Sequence, residues 1–249
     1  MRYLIQLKST TIILILCTLS LSEVSIPGGN VSGTWTAAES PYLIGGDVTI
    51  PNGQTLIIEP NVDILFEGWY NLTINGILDA IGEADMPIVF TPADTSYGWT
   101  GLRFIDAPDS SHLNYCILEF GQATGADPLN RGGALYIKNS NPVITNSTIR
   151  KSRAADYGGA IYMENANPLF NNCTVTGNYV GTDPVGYGGG IYCMDSSPIF
   201  RHSYINKNHL GVSGGFSTGR GSGGGIYLEN SDAVFEDNII SNNRIGGSG

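Results

Sequence analysis

The sequence predicts an all-β solenoid, in which each internal repeat of the chain forms one coil. A segment of the form GG[AG][IL]Y occurs four times, and these segments begin at Gly132, Gly158, Gly188 and Gly223. The tyrosines of successive segments are 26, 30 and 35 residues apart, a spacing typical of stacked repeat units. Each unit contains short runs of β-branched residues and no helical periodicity.

Alignment of the four units predicts which side chains face the interior. Side chains alternate between the two faces of a strand, so the apolar residues on either side of the repeated tyrosine point inward and the tyrosine points outward. The first apolar column comprises Leu135, Ile161, Ile191 and Ile226, and the second comprises Ile137, Met163, Cys193 and Leu228.

A polar column after this strand predicts a corner of the coil, because Asn and Asp tolerate a left-handed backbone and bond to nearby backbone groups. Prolines then introduce a second strand, and a third strand completes the coil. The corner column comprises Asn139, Asn165, Asp195 and Asn230; the inward residues of the second strand are Ile144, Phe170, Phe200 and Phe235; those of the third strand are Ile149, Val175, Ile205 and Ile240. Three parallel strands per coil, stacked roughly 4.8 Å apart, therefore form three sheets.

Three of the cysteines are predicted to be buried free thiols. Cys193 belongs to an apolar column, and Cys116 and Cys173 share an inward column of small residues with Ser147, Ser203 and Asn238. Cys116 and Cys173 are two coils apart, or roughly 10 Å, which is beyond the reach of a disulfide. The serine, asparagine and aliphatic neighbours do not form a metal site.

The chain is predicted to have three parts. Residues 1–22 have the pattern of a signal peptide, with Arg2 and Lys8 before a short apolar run, so we expect a secreted or cell-surface protein without a stable membrane span. Residues 23–98 contain alternating apolar segments and turns, predicted to form an N-terminal cap and the first coils. Residues 99–249 form the repeats, and because no cap pattern follows them we expect a C-terminal truncation, with later coils or a sorting domain missing.

The charge balance excludes some partners. Without residues 1–22, which hold two basic residues and no acidic ones, 12 − 2 = 10 basic residues remain against 22 acidic ones, a net charge near −12. Such a surface disfavours nucleic acid and anionic membrane as partners. It also disfavours polyanionic substrates unless calcium mediates the contact.

The repeats resemble two groups of known proteins. The three-strand coil resembles the right-handed parallel β-helix proteins, a superfamily that includes pectate lyases and polygalacturonases. The GGA[IL] segments at 132–135 and 158–161, together with the FxxN segment at 235–238, resemble the polymorphic outer-membrane adhesins. These resemblances imply a right-handed parallel β-helix that acts as an adhesive or structural module or as a carbohydrate-active enzyme.

The outward residues of the first strand form a candidate ligand-binding face. Arg103 aligns with the repeated tyrosines, and loops that emerge from one corner wall the face with Tyr157 and Tyr187, and with Asp183 and Phe216. Tyrosine rings suit the apolar faces and hydroxyl edges of sugars, although stacked rings could also simply shield the sheet. The predicted ligand-binding residues are Arg103, Tyr136, Tyr157, Tyr162, Glu164, Tyr187, Tyr192 and Tyr227.

An enzyme would need a different constellation. The resembling lyases use calcium-binding carboxylates with an Arg or Lys base, and the resembling hydrolases use clustered aspartates. Neither cluster is visible, and Arg103 is better placed for a cation–π contact with Tyr136. We therefore expect a binding, adhesive or structural module without catalytic residues, metal or cofactor, whose partner is a polysaccharide, a surface glycan or another surface protein. The alternative is a pectate-lyase-like enzyme, for which calcium would be the cofactor.

Overall fold

The computed structural model describes residues 23–181, 185–211 and 220–246, and these residues form a stack of parallel coils. Three sheets run along the stack, and every strand pairs in parallel with its equivalents in the neighbouring coils. This confirms the predicted right-handed parallel β-helix with three sheets. The predicted signal peptide at 1–22 and the loop residues Asp183 and Phe216 lie outside the described residues.

The three long sheets contain nine, eight and eight strands. The first sheet contains Val24–Ile26, Tyr42–Ile44, Asp63–Phe66, Ile88–Pro92, Cys116–Glu119, Thr148–Arg150, Thr174–Thr176, Tyr204–Asn206 and Ile239–Ser241. The second, called the tyrosine sheet below, contains Gly29–Asn30, Val48–Ile50, Leu72–Ile74, Leu102–Ile105, Leu135–Lys138, Ile161–Glu164, Ile191–Met194 and Ile226–Glu229. The third contains Gly33–Trp35, Thr55–Ile58, Ile77–Ile81, His112–Asn114, Val143–Thr145, Leu169–Asn171, Ile199–Arg201 and Val234–Glu236. A short 3₁₀ helix covers Ala37–Glu39.

The register of the strands confirms the aligned columns. Leu135 pairs with Ile161, Ile161 with Ile191, and Ile191 with Ile226. In the third sheet Phe170 and Phe200 stack with ring centroids 4.6 Å apart. The four residues of the predicted corner column have φ between 48° and 50°, the left-handed conformation that their residue types tolerate. The core is therefore filled by columns of similar side chains, one from each coil.

A fourth, short sheet at one corner was not predicted. It contains Gln122–Ala123, Arg153–Ala154, Tyr179–Val180, His209–Leu210 and Arg244–Ile245. One buried residue of each of the first four strands forms a small separate core, namely Ala123, Ala154, Val180 and Leu210. Strands of two residues are too short for an alternating pattern to be recognised.

An amide ladder supports this corner. The side-chain amide of Asn178 donates to Asn208 Oδ1 at 2.9 Å, and that of Asn208 donates to Asn243 Oδ1 at 3.0 Å. The same amides donate to the carbonyl oxygens of Ile149 and Val175. Because each amide is buried and fully engaged, the ladder fixes one coil upon the next.

The glycine pair that opens each repeat is required by the backbone. Gly158 has a φ of +59°, and a Cβ atom there would lie 2.1 Å from the carbonyl oxygen of Ile161. A Cβ atom on Gly159 would lie 2.2 Å from the carbonyl oxygen of Gly189 in the next coil. The first glycine thus permits a sharp turn, and the second permits close approach of successive coils.

We expect Gly158→Ala to destabilise the protein strongly. Gly177 provides a matched control, since its φ is +65° but its Cβ atom would meet nothing within 4 Å. Gly177→Ala should cost only the conformational penalty of about 1–2 kcal/mol, whereas the clash in Gly158→Ala should add about 1–3 kcal/mol more. Urea unfolding followed by circular dichroism measures both, and equal losses would contradict the steric role of Gly158.

The prediction that three cysteines are buried free thiols is confirmed. Cys116, Cys173 and Cys193 are free and buried. The backbone N–H of Cys116 donates to Ser147 Oγ and that of Cys173 to Ser203 Oγ, both at 3.0 Å. Burial raises the pKa of the Cys173 thiol from 9.0 to about 11.

This shift makes stability depend on alkaline pH. Since the folded pKa exceeds the unfolded one, the contribution of Cys173 is fully present below pH 9 and is lost as the pH rises to about 11. We expect Cys173→Ser, which repeats the neighbouring serines, to flatten the fall in unfolding free energy over that window. Urea titrations under reducing conditions at pH 8, 9, 10 and 11 test this; an unchanged slope would contradict it.

Candidate functional site: a tyrosine pocket

The repeated tyrosines form a continuous stack on the outer side of the tyrosine sheet. Tyr136, Tyr162, Tyr192 and Tyr227 pair in register. Successive ring centroids are 5.2, 5.3 and 5.5 Å apart, and the planes of successive rings differ by at most 15°. The predicted ladder is therefore present, with each ring packed on the next.

A second layer covers much of this stack, and it lies closer to the stack than the predicted loop walls. Tyr157 bridges in parallel to Arg131 on one side and to Tyr187 on the other. The rings of Tyr157 and Tyr187 stack 5.8 Å apart and meet Tyr192 edge to face at 63° and 60°. Tyr162 is consequently only 1% exposed. The glycine turn produces this layer, because it folds the residue before the glycine pair back over the strand that follows.

The two tyrosine layers enclose an open pocket of about 400 Å³. It is lined by Arg131, Tyr157, Tyr162, Tyr187, Tyr192, Met194, Tyr227 and Glu229. Five of these are predicted ligand-binding residues. Of the other predicted residues, Tyr136 is buried beside the pocket, Arg103 lies beyond Tyr136, and Glu164 is engaged in ion pairs.

Three lining residues were not among the predicted site residues. Met194 and Glu229 occupy the outward column next to the tyrosines, which the sequence does reveal. Arg131 was missed, although a signal existed. It directly precedes the glycine pair, at the position that Tyr157 and Tyr187 hold in later repeats.

Hydrogen bonds fix the polar atoms of the pocket. Arg131 Nη1 donates to the hydroxyl of Tyr162 at 2.8 Å, and this hydroxyl donates to Glu164 Oε2 at 3.1 Å. The hydroxyl of Tyr192 donates to Glu229 Oε2. Burial, together with the neighbouring carboxylates, raises the pKa of Tyr162 and Tyr192. Both phenols therefore remain neutral in ordinary buffers.

Paired and stacked charged groups surround the N-terminal half of the stack, at Tyr136 and Tyr162. Glu164 is paired with Lys138 at 2.6 Å, and Arg131 is paired with Asp127 at 2.7 Å. Arg103 stacks on Tyr136 with its guanidinium carbon 4.2 Å from the ring centroid, which confirms the expected cation–π contact. Burial lowers the pKa of Arg103 to about 10.

The described parts of the chain hold no group of three or more His, Cys, Asp or Glu side chains arranged for a metal ion. His112 faces Asp79 at 3.6 Å on the third sheet, and His202 faces Asp237 at 3.7 Å. Neither histidine lines the pocket. Within residues 23–181, 185–211 and 220–246, no helix has the length and apolar character needed to cross a membrane.

Comparison with known proteins identifies the fold family. Residues 97–249, more than half of the chain, match the family described as the right-handed β-helix region. The chain is also similar to Protein bark beetle of Drosophila melanogaster, with 31% identity over 102 residues, which is 36% of this chain and 3% of that protein. The matched segment thus spans a small fraction of that relative. No solved structure matches the chain significantly.

The central ring of the stack should matter for stability through packing more than through its hydroxyl. Tyr192→Ala removes contacts with four neighbouring tyrosines and should cost about 3–5 kcal/mol. Tyr192→Phe keeps the ring and loses the bond to Glu229, which should cost about 1 kcal/mol. Urea unfolding distinguishes them, and comparable losses in the two variants would refute the packing role.

Proposed function

The chain belongs to the right-handed β-helix family, and on that premise we propose that it is a binding module that holds a glycan in its tyrosine pocket. The observation that carries this proposal is the pairing of aromatic walls with polar groups at the ends of one pocket. Tyr157, Tyr187 and Tyr227 present ring surface, while Arg131 and Glu229 provide a donor and an acceptor. Sugars need this combination, since their ring faces are apolar and their edges carry hydroxyls.

The pocket has suitable dimensions and rigidity. A volume of about 400 Å³ lies within the range of small-molecule sites. Its tyrosines stack on residues of the solenoid rather than on isolated loops, and the hydroxyls of Tyr162 and Tyr192 are already hydrogen-bonded. A preorganised site loses little side-chain entropy on binding, which favours affinity.

Binding is better supported than hydrolysis or elimination. Glycoside hydrolysis needs two carboxyl groups that flank the scissile bond. Among the pocket-lining residues only Glu229 carries a carboxylate, and Tyr192 donates to it. The nearby Glu164 is held by Lys138. The proposal therefore places sugar recognition, without chemistry, at this pocket.

A glycan ligand also fits an extracellular site of action. The signal-like pattern of residues 1–22 and the acidic, glycine-rich composition support the proposal that the protein is secreted or displayed at the cell surface. The glycan would then belong to an extracellular polysaccharide or to a surface glycoprotein.

A glycan array followed by calorimetry of the best-binding glycan tests the proposal. We expect Tyr187→Ala and Tyr227→Ala each to weaken binding by about tenfold or more, since buried aromatic anchors contribute most of the energy of such sites. These half-buried residues are preferable to Tyr162, whose removal would damage the core of the stack. Tyr204→Ala is the control, because Tyr204 is 46% exposed on the first sheet.

Two outcomes would overturn the proposal. Failure of the wild type to bind any glycan, with or without calcium, would leave the rings as a cover of the sheet. Release of an unsaturated or reducing product from a bound polysaccharide would instead establish an enzyme.

A further inference from the structure

The second layer of the tyrosine pocket has no aromatic side chain at its C-terminal end. Tyr157 and Tyr187 lie in register in this layer, and the residue in register after Tyr187 is the exposed Ser222. In the same coil as Ser222, Tyr227 is only half-buried, whereas the other three tyrosines of the stack are at most 3% exposed. A serine cannot cover a ring as a tyrosine does, so the pocket opens over Tyr227.

Three rings border this opening at different angles. The plane of Tyr187 is inclined by 47° to that of Tyr227 and by 60° to that of Tyr192, at centroid distances of 4.7 and 6.3 Å. Tyr192 and Tyr227 stack 5.5 Å apart. Rings that meet at such angles present π surface from more than one side. A cation within about 6 Å of a ring centroid is attracted to the ring face, and a corner of several rings suits an ammonium group.

Glu229 adds a carboxylate to this corner of the pocket. Its Oε2 atom accepts from the hydroxyl of Tyr192, which fixes the side chain and leaves Oε1 for a further donor. The ion pairs formed by the described residues do not include Glu229. A carboxylate that is held in place beside aromatic rings, without a cation of its own, is a strong acceptor for a charged N–H group of a ligand.

The positive charge of the pocket is already neutralised. Arg131 pairs with Asp127 at 2.7 Å and lies 3.8 Å from Glu164. Glu164 also pairs with Lys138 at 2.6 Å. Glu229 is therefore the charged lining residue that lacks an ionic partner within the described part of the chain. The net charge of −10 of the whole chain adds to the attraction for cations.

We propose that Tyr187, Tyr227 and Glu229 form an ammonium site, and that the glycan of the tyrosine pocket carries an amino sugar with a free, protonated amine. This site rests on the proposed glycan function and narrows the ligand to one class of sugar. The ammonium group donates to Glu229 Oε1 and lies against the faces of the two rings. A primary ammonium is favoured over a quaternary one, because only the primary form can donate to Oε1.

The site should distinguish an amino sugar from its acetylated form. Acetylation of the amine removes the positive charge, so an N-acetyl sugar loses both the charged hydrogen bond and the attraction to the ring faces. A neutral sugar that lacks the amine loses the same two contributions. The rest of either sugar would still meet the aromatic walls of the pocket.

Calorimetric titration with three short oligosaccharides tests the site. In weakly acidic buffer of fixed ionic strength, an oligomer of glucosamine should bind about tenfold tighter or more than equal-length oligomers of N-acetylglucosamine and glucose, the difference expected for a charged hydrogen bond. Glu229→Gln keeps an acceptor for Tyr192 and removes the charge, so it should weaken binding of the glucosamine oligomer by about tenfold or more. Asp232→Asn is the matched control, since Asp232 is an exposed carboxylate of the same coil that does not line the pocket.

The outcomes separate the ammonium site from the glycan function. Equal affinity for the three oligomers would overturn the ammonium site and leave glycan binding intact. An equal loss in Glu229→Gln and Asp232→Asn would also overturn the site, because the preference would then arise from overall charge. Choline chloride is the remaining probe. If choline binds and no oligomer does, the ligand is a quaternary ammonium compound, and both the amino sugar and the glycan function are wrong.

Discussion

The structure depends on the in-register stacking of parallel coils. Once a strand is paired in parallel with its equivalent in the next coil, each residue lies over its counterpart, so the sequence of one repeat determines the neighbours of every residue in the next. Tyrosine stacks on tyrosine, phenylalanine on phenylalanine and asparagine on asparagine. Each such column is stabilised by contacts between several coils. A single substitution therefore affects the coils on both sides of it.

The glycine turns extend this order beyond the three sheets. A glycine turn with φ between +59° and +77° precedes each of the four tyrosine-bearing strands, and it folds the preceding residue back over the tyrosine sheet. Because the turns are themselves in register, Arg131, Tyr157 and Tyr187 form a second column parallel to the first. The pocket therefore results from the same repetition as the core, and it needs no long independent loop to hold its walls. Such a site is rigid for the reason that the solenoid is rigid.

The sequence alone predicts which residues stack in columns, but it does not predict which segments cover the outer face of a sheet. Alternation predicted that Tyr162 points away from the core, and it does, but alternation contains no information about what lies above a sheet. Tyr162 is covered because residues 157 and 187 return over it, a consequence of backbone turns rather than of periodicity. Arg131 was missed for the related reason that one aligned position changes from tyrosine to arginine. The two-residue strands of the corner sheet were invisible because a pattern of period two needs more residues than they have.

The tyrosine stack ends differently at its two ends, and this asymmetry gives the pocket a direction. Toward the N-terminal coils the stack ends on the cation Arg103, with Arg131 beside the following ring. Toward the C-terminal coils it ends at Tyr227, beside the carboxylate of Glu229. The aromatic middle recognises a ring face of either orientation, since stacking is tolerant of rotation. The charged ends accept only one ligand orientation, because a reversed ligand would place donors against donors and acceptors against acceptors and leave them unpaired. A glycan that places an acceptor oxygen near Arg131 and a donor hydroxyl near Glu229 would therefore bind in a single orientation along the solenoid axis.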